Sequence, residues 1–377
     1  MNIIYLTPVY FPVTGGVSNV VRELYQCALM KGDSACIVAP VGSISEESNG
    51  DVIRLCVPDL QPRKGNVLQL LRSMVLRRRA RKKFVDLLNS RKVDVIHIQF
   101  PVPKFNCLIP SDLPVIVTYH GSDLLQQYGP SGNLIYKLNS RASYVTTVSG
   151  GLLAELLNAH PGLSSKSTRI RNGRPSKEVH DNHEKSGQSP RYILFAADLI
   201  HRKAVELLVR AFARLPQTTE HLLYIAGDGV GRDALYDLVN KLGIGSRVKY
   251  LGALDRTDAI MAMKDADVMV LPSRREGLPL AILEAMSVGC PVVASAISGN
   301  AELISQGENG YLFEPENVDD LAEKLWRIVS DPDNRRNLSA GSLNTAKRYP
   351  TWEEVYGMYR ELYIKVMKST FHECSKP

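Results

Sequence analysis

Glu276-Gly277-Leu278-Pro279-Leu280-Ala281-Ile282-Leu283-Glu284 follows closely on the apolar run Val268-Met269-Val270-Leu271-Pro272, and this junction decides how the chain folds. Four apolar residues ending in Pro read as a buried strand. Pro279 suits the first turn of a helix, because its fixed φ fits and its missing N–H had no partner to lose. Gly289 ends that helix and Pro291 bars its return. The pattern therefore places Glu276 in a loop at the carboxyl end of a strand and Glu284 in the second turn of the next helix. Ligands of open α/β sheets bind at such strand ends, and free N–H groups at a helix start favour anions. Two carboxylates there suit hydrogen bonds to sugar or ribose hydroxyls. A charged pair at this spacing is also compatible with a solvated helix face, so its neighbours in the fold must decide.

Working outward, strand-like and helical runs alternate. Strands are expected at Ile3–Thr7, Ala35–Ala39, Val93–Ile98, Val115–Tyr119 and Tyr144–Val148, with helices such as Val17–Met30 and Leu68–Leu88 between them. A polar stretch, Arg174–Pro190, reads as a linker or long surface loop. The pattern restarts with strands Tyr192–Ala196, Leu222–Ala226, Val248–Leu251, Val268–Leu271 and Val292–Ala294. Helices Ala204–Leu215, Asp233–Leu242, Thr257–Asp265 and Leu280–Val288 separate them. Such alternation means parallel sheets wound by right-handed crossovers. The expected architecture is α/β, with two facing Rossmann-like domains and a cleft between their strand ends. The domains are drawn at 1–180 and 181–350. The tail 351–377 is a packing helix with Tyr356, Tyr359 and Tyr363 on one side, directed back towards the first domain.

Composition fits this organisation. At 377 residues two domains are the usual number. A hydrophobic fraction of 44% is ordinary for a soluble protein, and no apolar run approaches the ~20 residues that span a bilayer. The start reads as a strand and turn rather than a signal peptide. Six scattered cysteines without a C-x-x-C pair read as reduced thiols in a cytoplasmic protein. The net charge of +7 is uneven: residues 1–189 carry +9 and residues 190–377 carry −2. The excess concentrates in Arg72, Arg77, Arg78, Arg79, Arg81, Lys82 and Lys83, interleaved with Leu68, Leu71, Met74, Val75, Phe84 and Leu87. A basic amphipathic helix reads as an element for an anionic membrane surface, peripheral on its cytoplasmic face, or as a solvated helix with local ion pairs. Nucleic acid is not expected, since no aromatic side chains interleave with the cations.

Other strand ends carry candidate residues. Gly15-Gly16-Val17 follows the first strand and opens a helix, where glycines let backbone approach a phosphate. His120-Gly121-Ser122-Asp123 follows Val115–Tyr119. Arg202-Lys203 follow Tyr192–Ala196 across a short loop and suit a diphosphate, Arg as a fork and Lys as a point charge. Gly227-Asp228-Gly229-Val230-Gly231 is not a dinucleotide loop, since the third Gly of G-x-G-x-x-G would fall on Arg232. Asp265-Ala266-Asp267 looks like a metal-binding D-x-D pair, but it ends a helix before a buried strand and reads as structural. No metal is expected.

Taken together these residues resemble glycosyltransferase family 4, retaining nucleotide-sugar enzymes of the two-Rossmann-domain GT-B type. The resemblance covers nearly the whole chain. It is most specific in Gly227-Asp228-Gly229, Tyr250-Leu251-Gly252, Leu271-Pro272-Ser273, Glu276 through Met286, Gly289-Cys290-Pro291-Val292-Val293-Ala294, Ala301-Glu302-Leu303-Ile304 and Asn309-Gly310-Tyr311-Leu312. In the first half it rests on Gly15-Gly16, Asp94-Val95-Ile96-His97, Thr118-Tyr119-His120-Gly121, Val148-Ser149 and Asn172-Gly173.

The resemblance implies that Glu276 and His120 act at the transferred sugar. Gly277 and Leu278 would offer it backbone N–H groups, and Leu280 and Ala281, after Pro279, would do so for the phosphates. Glu284 would hold the ribose. Arg202 and Lys203 would neutralise the leaving diphosphate, and Gly15-Gly16 would close over it. It implies no cofactor beyond a UDP- or GDP-linked donor, no metal, and a carbohydrate acceptor; the basic face of the first domain points to a polyprenyl-linked acceptor at the membrane surface, with envelope polysaccharide assembly (O-antigen, capsule or exopolysaccharide) as the expected setting. Three departures stand out. Ala197-Asp198 replaces the family's Gly-Arg, Ala204 replaces a Gly, and Arg174-Pro175 follow Asn172-Gly173. An epimerase of the same fold and a non-catalytic nucleotide-sugar-binding subunit are the alternative readings.

Overall fold

The computed structural model describes residues 1–11, 15–40, 51–58, 67–124, 132–175 and 190–374. The expected linker and the 180/181 boundary fall mostly outside these residues. In chain order the elements are β1 (Asn2–Leu6), α1 (Gly16–Met30), β2 (Ser34–Pro40), β3 (Val52–Leu55), α2 (Val67–Arg91), β4 (Val95–Gln99), β5 (Val115–Tyr119), α3 (Gly132–Arg141), β6 (Tyr144–Thr147), α4 (Gly150–Ala159) and β7 (Ser167–Arg169). There follow β8 (Tyr192–Ala196), α5 (Val205–Arg214), β9 (Leu222–Ala226), α6 (Arg232–Lys241), β10 (Val248–Gly252), α7 (Arg256–Asp265), β11 (Val268–Leu271), α8 (Leu280–Ser287), β12 (Val292–Ser295), α9 (Ser298–Ala301), β13 (Gly310–Phe313), α10 (Val318–Val329), α11 (Pro332–Lys347) and α12 (Trp352–Cys374).

Two compact units result: Met1–Asn172 with Trp352–Pro377, and Gly173–Thr351. Each holds one sheet, ordered β3-β2-β1-β4-β5-β6-β7 in the first unit and β10-β9-β8-β11-β12-β13 in the second. All the strand pairs are parallel. Central strands are buried on both faces, as parallel sheets require; Ile3, Ile4, Tyr5 and Leu6 of β1 are at most 2% exposed. The strand order reverses between β1 and β4 and between β8 and β11. Those are the switch points where doubly wound sheets open a crevice.

The first unit recruits the C-terminal helix. Tyr356 Oη and Arg360 Nε of α12 donate to Asp33 Oδ2 at 2.7 and 2.8 Å, and the chain's amino terminus pairs with Asp33 Oδ1 at 2.8 Å. In α2, Ala80, Phe84 and Leu88 are buried. Leu71, Met74 and Val75 instead stand exposed beside Arg72, Arg78 and Arg79. Arg77 is half-buried, while Arg81, Lys82 and Lys83 are exposed.

In the second unit Phe195, Phe212, Val270, Leu325 and Ile328 belong to one core. Asp267, read from the sequence as structural, sits at the amino end of β11. Its Oδ2 meets His221 Nε2 at 2.9 Å, Arg191 Nε at 3.0 Å and Arg335 Nη1 at 3.3 Å. Burial alone would raise its pKa, but His221, Arg335 and Arg191 outweigh burial and hold the carboxyl at about 2. A depressed carboxylate pKa contributes stability above the unfolded value and loses it as pH falls through the folded one. We therefore expect on the order of 2 kcal/mol to be lost between about pH 4 and pH 2. Acid unfolding followed by circular dichroism checks this: Asp267→Asn should flatten that limb, and an unchanged acid limb would refute the assignment.

Candidate active site

The site of the second unit is built where its strand order reverses. β11 leads into the loop 272–279 and then α8; β8 leads through a 3-10 turn, His201–Lys203, into α5. Pro279 is the capping residue of α8 rather than its first helical one, with φ −69° and ψ 121°. Its extended ψ turns the chain into the helix, so Leu280 and Ala281 become the first two amides. No side chain caps this end. The N–H groups of Gly277, Leu280 and Ala281 find no acceptor among the described residues. Donors without acceptors at and just before a helix start suit an anion or a hydroxyl oxygen.

Glu276 faces that turn from across the switch point. Lys203 Nζ donates to its Oε1 at 2.6 Å, and Arg202 Nη1 reaches its Oε2 at 3.4 Å and the Arg275 carbonyl at 3.1 Å. The backbone is tied as well, Arg274 N–H donating to the Arg202 carbonyl at 2.8 Å. Arg274 Nη1 reaches the His201 carbonyl at 2.5 Å, and its guanidinium also pairs with Glu206 and Glu316 at 2.8 and 2.9 Å. Burial alone would raise the Glu276 pKa, but Lys203 and Arg202 outweigh it, so the carboxyl is held below its ordinary value and stays ionised. Two cations against one carboxylate leave a positive excess beside the α8 amides. An ionised Glu276 is a hydrogen-bond acceptor, not an acid.

Glu284 lies in the second turn of α8 and is buried, its Oε1 accepting from Arg256 Nε at 2.7 Å. The sequence reading missed Arg256. Only its position at the start of α7, beyond Gly252, hinted at it. A carboxylate oxygen has more than one lone pair, so a paired Glu284 keeps the capacity to accept from a hydroxyl. Asp198, which stands where the resemblance expects Arg, is exposed; its carbonyl accepts from Ile200 N–H at 3.0 Å, and its side chain makes no hydrogen bond or ion pair among the described residues.

Glycines hold these loops close together. A Cβ on Gly299, in α9, would lie 2.5 Å from the Gly277 carbonyl and 2.7 Å from that of Glu276. A Cβ on Gly227 or Gly229 would collide with the carbonyls of Ala197 or Leu199. The Gly227-Asp228-Gly229 run thus lets the loop after β9 pack on the one leading to Arg202-Lys203. Ala204, in place of the family's Gly, adopts φ 51° and ψ 38°, the left-handed region that favours glycine. We expect Gly299→Ala to push back the Glu276–Gly277 backbone, costing roughly 1–3 kcal/mol of stability and lowering the affinity for a bound nucleotide. Thermal melts with and without UDP and GDP check this; a fully native melt with unchanged ligand shifts would refute it.

The remaining candidates belong to the first unit. Gly15 and Gly16 begin α1, again without a side-chain cap, and a Cβ on either would meet open space. His120 follows β5. Its backbone N–H and those of Gly121 and Leu124 converge on the buried Asp123 carboxylate at 2.7–3.1 Å, which fixes the loop. Its Nε2 lies 2.7 Å from Gln99 Oε1, a partner the sequence reading did not name.

Two family descriptions match the chain: Glycosyltransferase Family 4 over residues 14–177 and Glycosyl transferases group 1 over residues 176–344. An uncharacterized glycosyltransferase of Methanocaldococcus jannaschii is 30% identical over 271 residues, which span 66% of this chain and 70% of that protein. Sucrose-phosphate synthase from Thermosynechococcus elongatus superposes with a TM-score of 0.78 at 21% identity, over 98% of this chain and all (100%) of that one. The Anabaena HepE structure in complex with UDP-glucose gives a TM-score of 0.76 at 19% identity, over 97% of this chain and 100% of that one. At such identities the two solved structures speak to the fold alone: two parallel-sheet Rossmann-like domains of the GT-B type.

Proposed function

We propose, on the premise that the chain belongs to the glycosyltransferases of family 4 and group 1, that it moves a hexose from a nucleoside diphosphate to a carbohydrate or lipid-linked acceptor with retained anomeric configuration. One observation carries this reading: Lys203 and Arg202 meet Glu276 beside the uncapped start of α8. The bond from the anomeric carbon to the diphosphate oxygen breaks with its electron pair going to the diphosphate, leaving an oxocarbenium-like sugar. Lys203, Arg202 and the α8 amides stabilise the growing negative charge more in the transition state than in the ground state. That charge complement supplies what a metal ion otherwise would, so the reaction is read as metal-independent. Glu276 accepts hydrogen bonds from the sugar's hydroxyls, and Glu284, steadied by Arg256, accepts those of the ribose. The acceptor hydroxyl attacks the face the diphosphate leaves, and its proton passes to the departing phosphate oxygen. The resemblance assigns Gly15 and Gly16 to the diphosphate and His120 to the sugar.

The first unit supports a lipid-linked acceptor in envelope polysaccharide assembly. Leu71, Met74 and Val75 of α2 are 54%, 47% and 48% exposed, among exposed arginines and lysines. Apolar side chains ringed by cations suit an anionic bilayer surface, each cation contributing about 1 kcal/mol. No helix among the described residues is long and apolar enough to cross a membrane. Reversing Arg78, Arg79 and Lys82 to Glu should weaken binding to phosphatidylglycerol vesicles by at least about tenfold. Flotation that is equal with anionic and neutral vesicles in the wild type would remove the membrane from the proposal. The donor is tested by incubating the protein with UDP-, GDP- and ADP-sugars and measuring the released nucleoside diphosphate. Absence of turnover and of nucleotide binding throughout would refute the reading.

A further inference from the structure

The alternation of two adjacent strands brings four polar side chains onto one face of the first sheet. His97 and Gln99 are two apart on β4; Thr118 is two before His120, on and just beyond β5; Gln99 pairs with Thr118 in register. Both His97 and Gln99 are fully buried, and α12 covers this face with Tyr359 and Tyr363. A polar chain at that depth persists only when each member is satisfied. Here it is: Tyr363 Oη to His97 Nδ1 is 2.7 Å, Gln99 Nε2 to His97 Nε2 is 2.9 Å, and Gln99 Oε1 to His120 Nε2 is 2.7 Å.

The directions follow from the groups. The amide nitrogen of Gln99 donates and its oxygen accepts. His97 Nε2 is therefore an acceptor, its Nδ1 carries the proton given to Tyr363, and His120 must donate from Nε2. Thr118 Oγ1 adds a contact to His97 Nε2 at 2.7 Å. Burial pushes both imidazoles down to about 3, so each is neutral, with one proton to place. The titratable groups facing the chain are Tyr5 of β1, Tyr359 and Tyr363 of α12, and Asp123 of the His120 loop. Nδ1 of His120 makes no hydrogen bond among the described residues.

We propose that Gln99 is a positioning residue: its side-chain oxygen holds His120 in the Nε2–H tautomer and leaves the Nδ1 lone pair as the acceptor for a hydroxyl of the donor sugar. The ring's protonated nitrogen is set by the bond it makes to its neighbour. On the other side of Gln99, the amide nitrogen is held against His97 Nε2, and His97 is held at Nδ1 by a tyrosine of the C-terminal helix. The sugar part of this rests on the glycosyl-transfer reading; the tautomer does not.

The test uses the full chain with nitrogen-15 labelled histidine and long-range proton–nitrogen correlation, His120 being assigned from its loss in His120→Gln. We expect a single Nε2–H tautomer in the wild type. Gln99→Leu should mix the tautomers and lower kcat roughly tenfold, with donor KM within about twofold. Gln99→Glu keeps the acceptor, so it restores the Nε2–H form. Its charge raises the imidazole pKa, so its kcat is low in acid and recovers as pH rises, a profile that lost packing would not produce. An Nδ1–H tautomer in the wild type overturns the proposal, as does an unchanged His120 spectrum in Gln99→Leu. Should Gln99→Leu not fold, the wild-type spectrum and the Gln99→Glu pH profile decide. Should the wild type turn over no donor, glycosyl transfer falls and the tautomer measurement still stands.

Discussion

Replacing Lys203 by alanine is expected to slow turnover of a nucleotide-sugar donor roughly 10²–10³-fold. The side chain is nearly buried, with 13% of its surface exposed, and its Nζ lies 2.6 Å from Glu276. The turn that carries it is fixed by its own N–H to the Ile200 carbonyl and by the Arg274–Arg202 backbone bond. The cation is thus held in place before any ligand arrives, and preorganised charge is worth most where negative charge develops during the reaction. Because that charge is larger in the transition state than in the bound donor, kcat should fall more than donor affinity. Arg202 remains, but it is 34% exposed and 3.4 Å from the carboxylate, so it substitutes poorly. Steady-state kinetics with donor varied checks this; a kcat within about threefold of wild type would contradict it.

Changing Glu276 to glutamine should have an effect of similar size, roughly 10²–10³-fold in kcat. Glutamine keeps the shape and loses the charge that Lys203 and Arg202 hold ionised. The two cations then lose their counter-charge, though Arg202 keeps the Arg275 carbonyl, and the hydroxyl acceptor is weakened. The variant also separates the two carboxylates of the opening segment. Glu284→Gln removes the charge that pairs with Arg256, whereas Lys203 pairs with Glu276. It should raise donor KM while leaving kcat within a few fold. If both substitutions moved kcat equally, the assignment of Glu276 to the sugar and Glu284 to the ribose would fail.

Much of this arrangement was legible from the sequence because it is local. The strand at Val268–Leu271, the loop, the helix at Leu280 and its end at Gly289 all follow from residues within a few positions of one another, and the structure keeps them there. Apolar runs likewise gave the central strands of both sheets to within about two residues. Strands β3, β7 and β13 were not seen: each is a three- or four-residue edge strand, β3 and β7 burying few side chains and β13, though mostly buried, too short to show a pattern. The ion pairs were out of reach for a different reason. Lys203 and Glu276 are 73 residues apart, and Arg256 and Glu284 are 28 apart. Charge pairing across such separations depends on the crossing of loops that only the folded backbone fixes. Gln99 was hidden in the same way, its partner being on the neighbouring strand. The basic helix α2 shows the limit of periodicity alone: Phe84 packs inward, whereas Leu71, Met74 and Val75 lie outside.

The claim at the centre is that Lys203, Arg202 and Glu276 form the reacting end of a nucleotide-sugar site. The direct measurement is proton NMR of the protein with the donor that a UDP-, GDP- and ADP-sugar screen selects, following diphosphate release and the anomeric coupling of the transferred or hydrolysed sugar at early times. The account predicts one nucleoside diphosphate released per sugar, retained anomeric configuration, and loss of the reaction in both Lys203→Ala and Glu276→Gln. Inverted product, or a reaction that proceeds undiminished in the two variants, would contradict it.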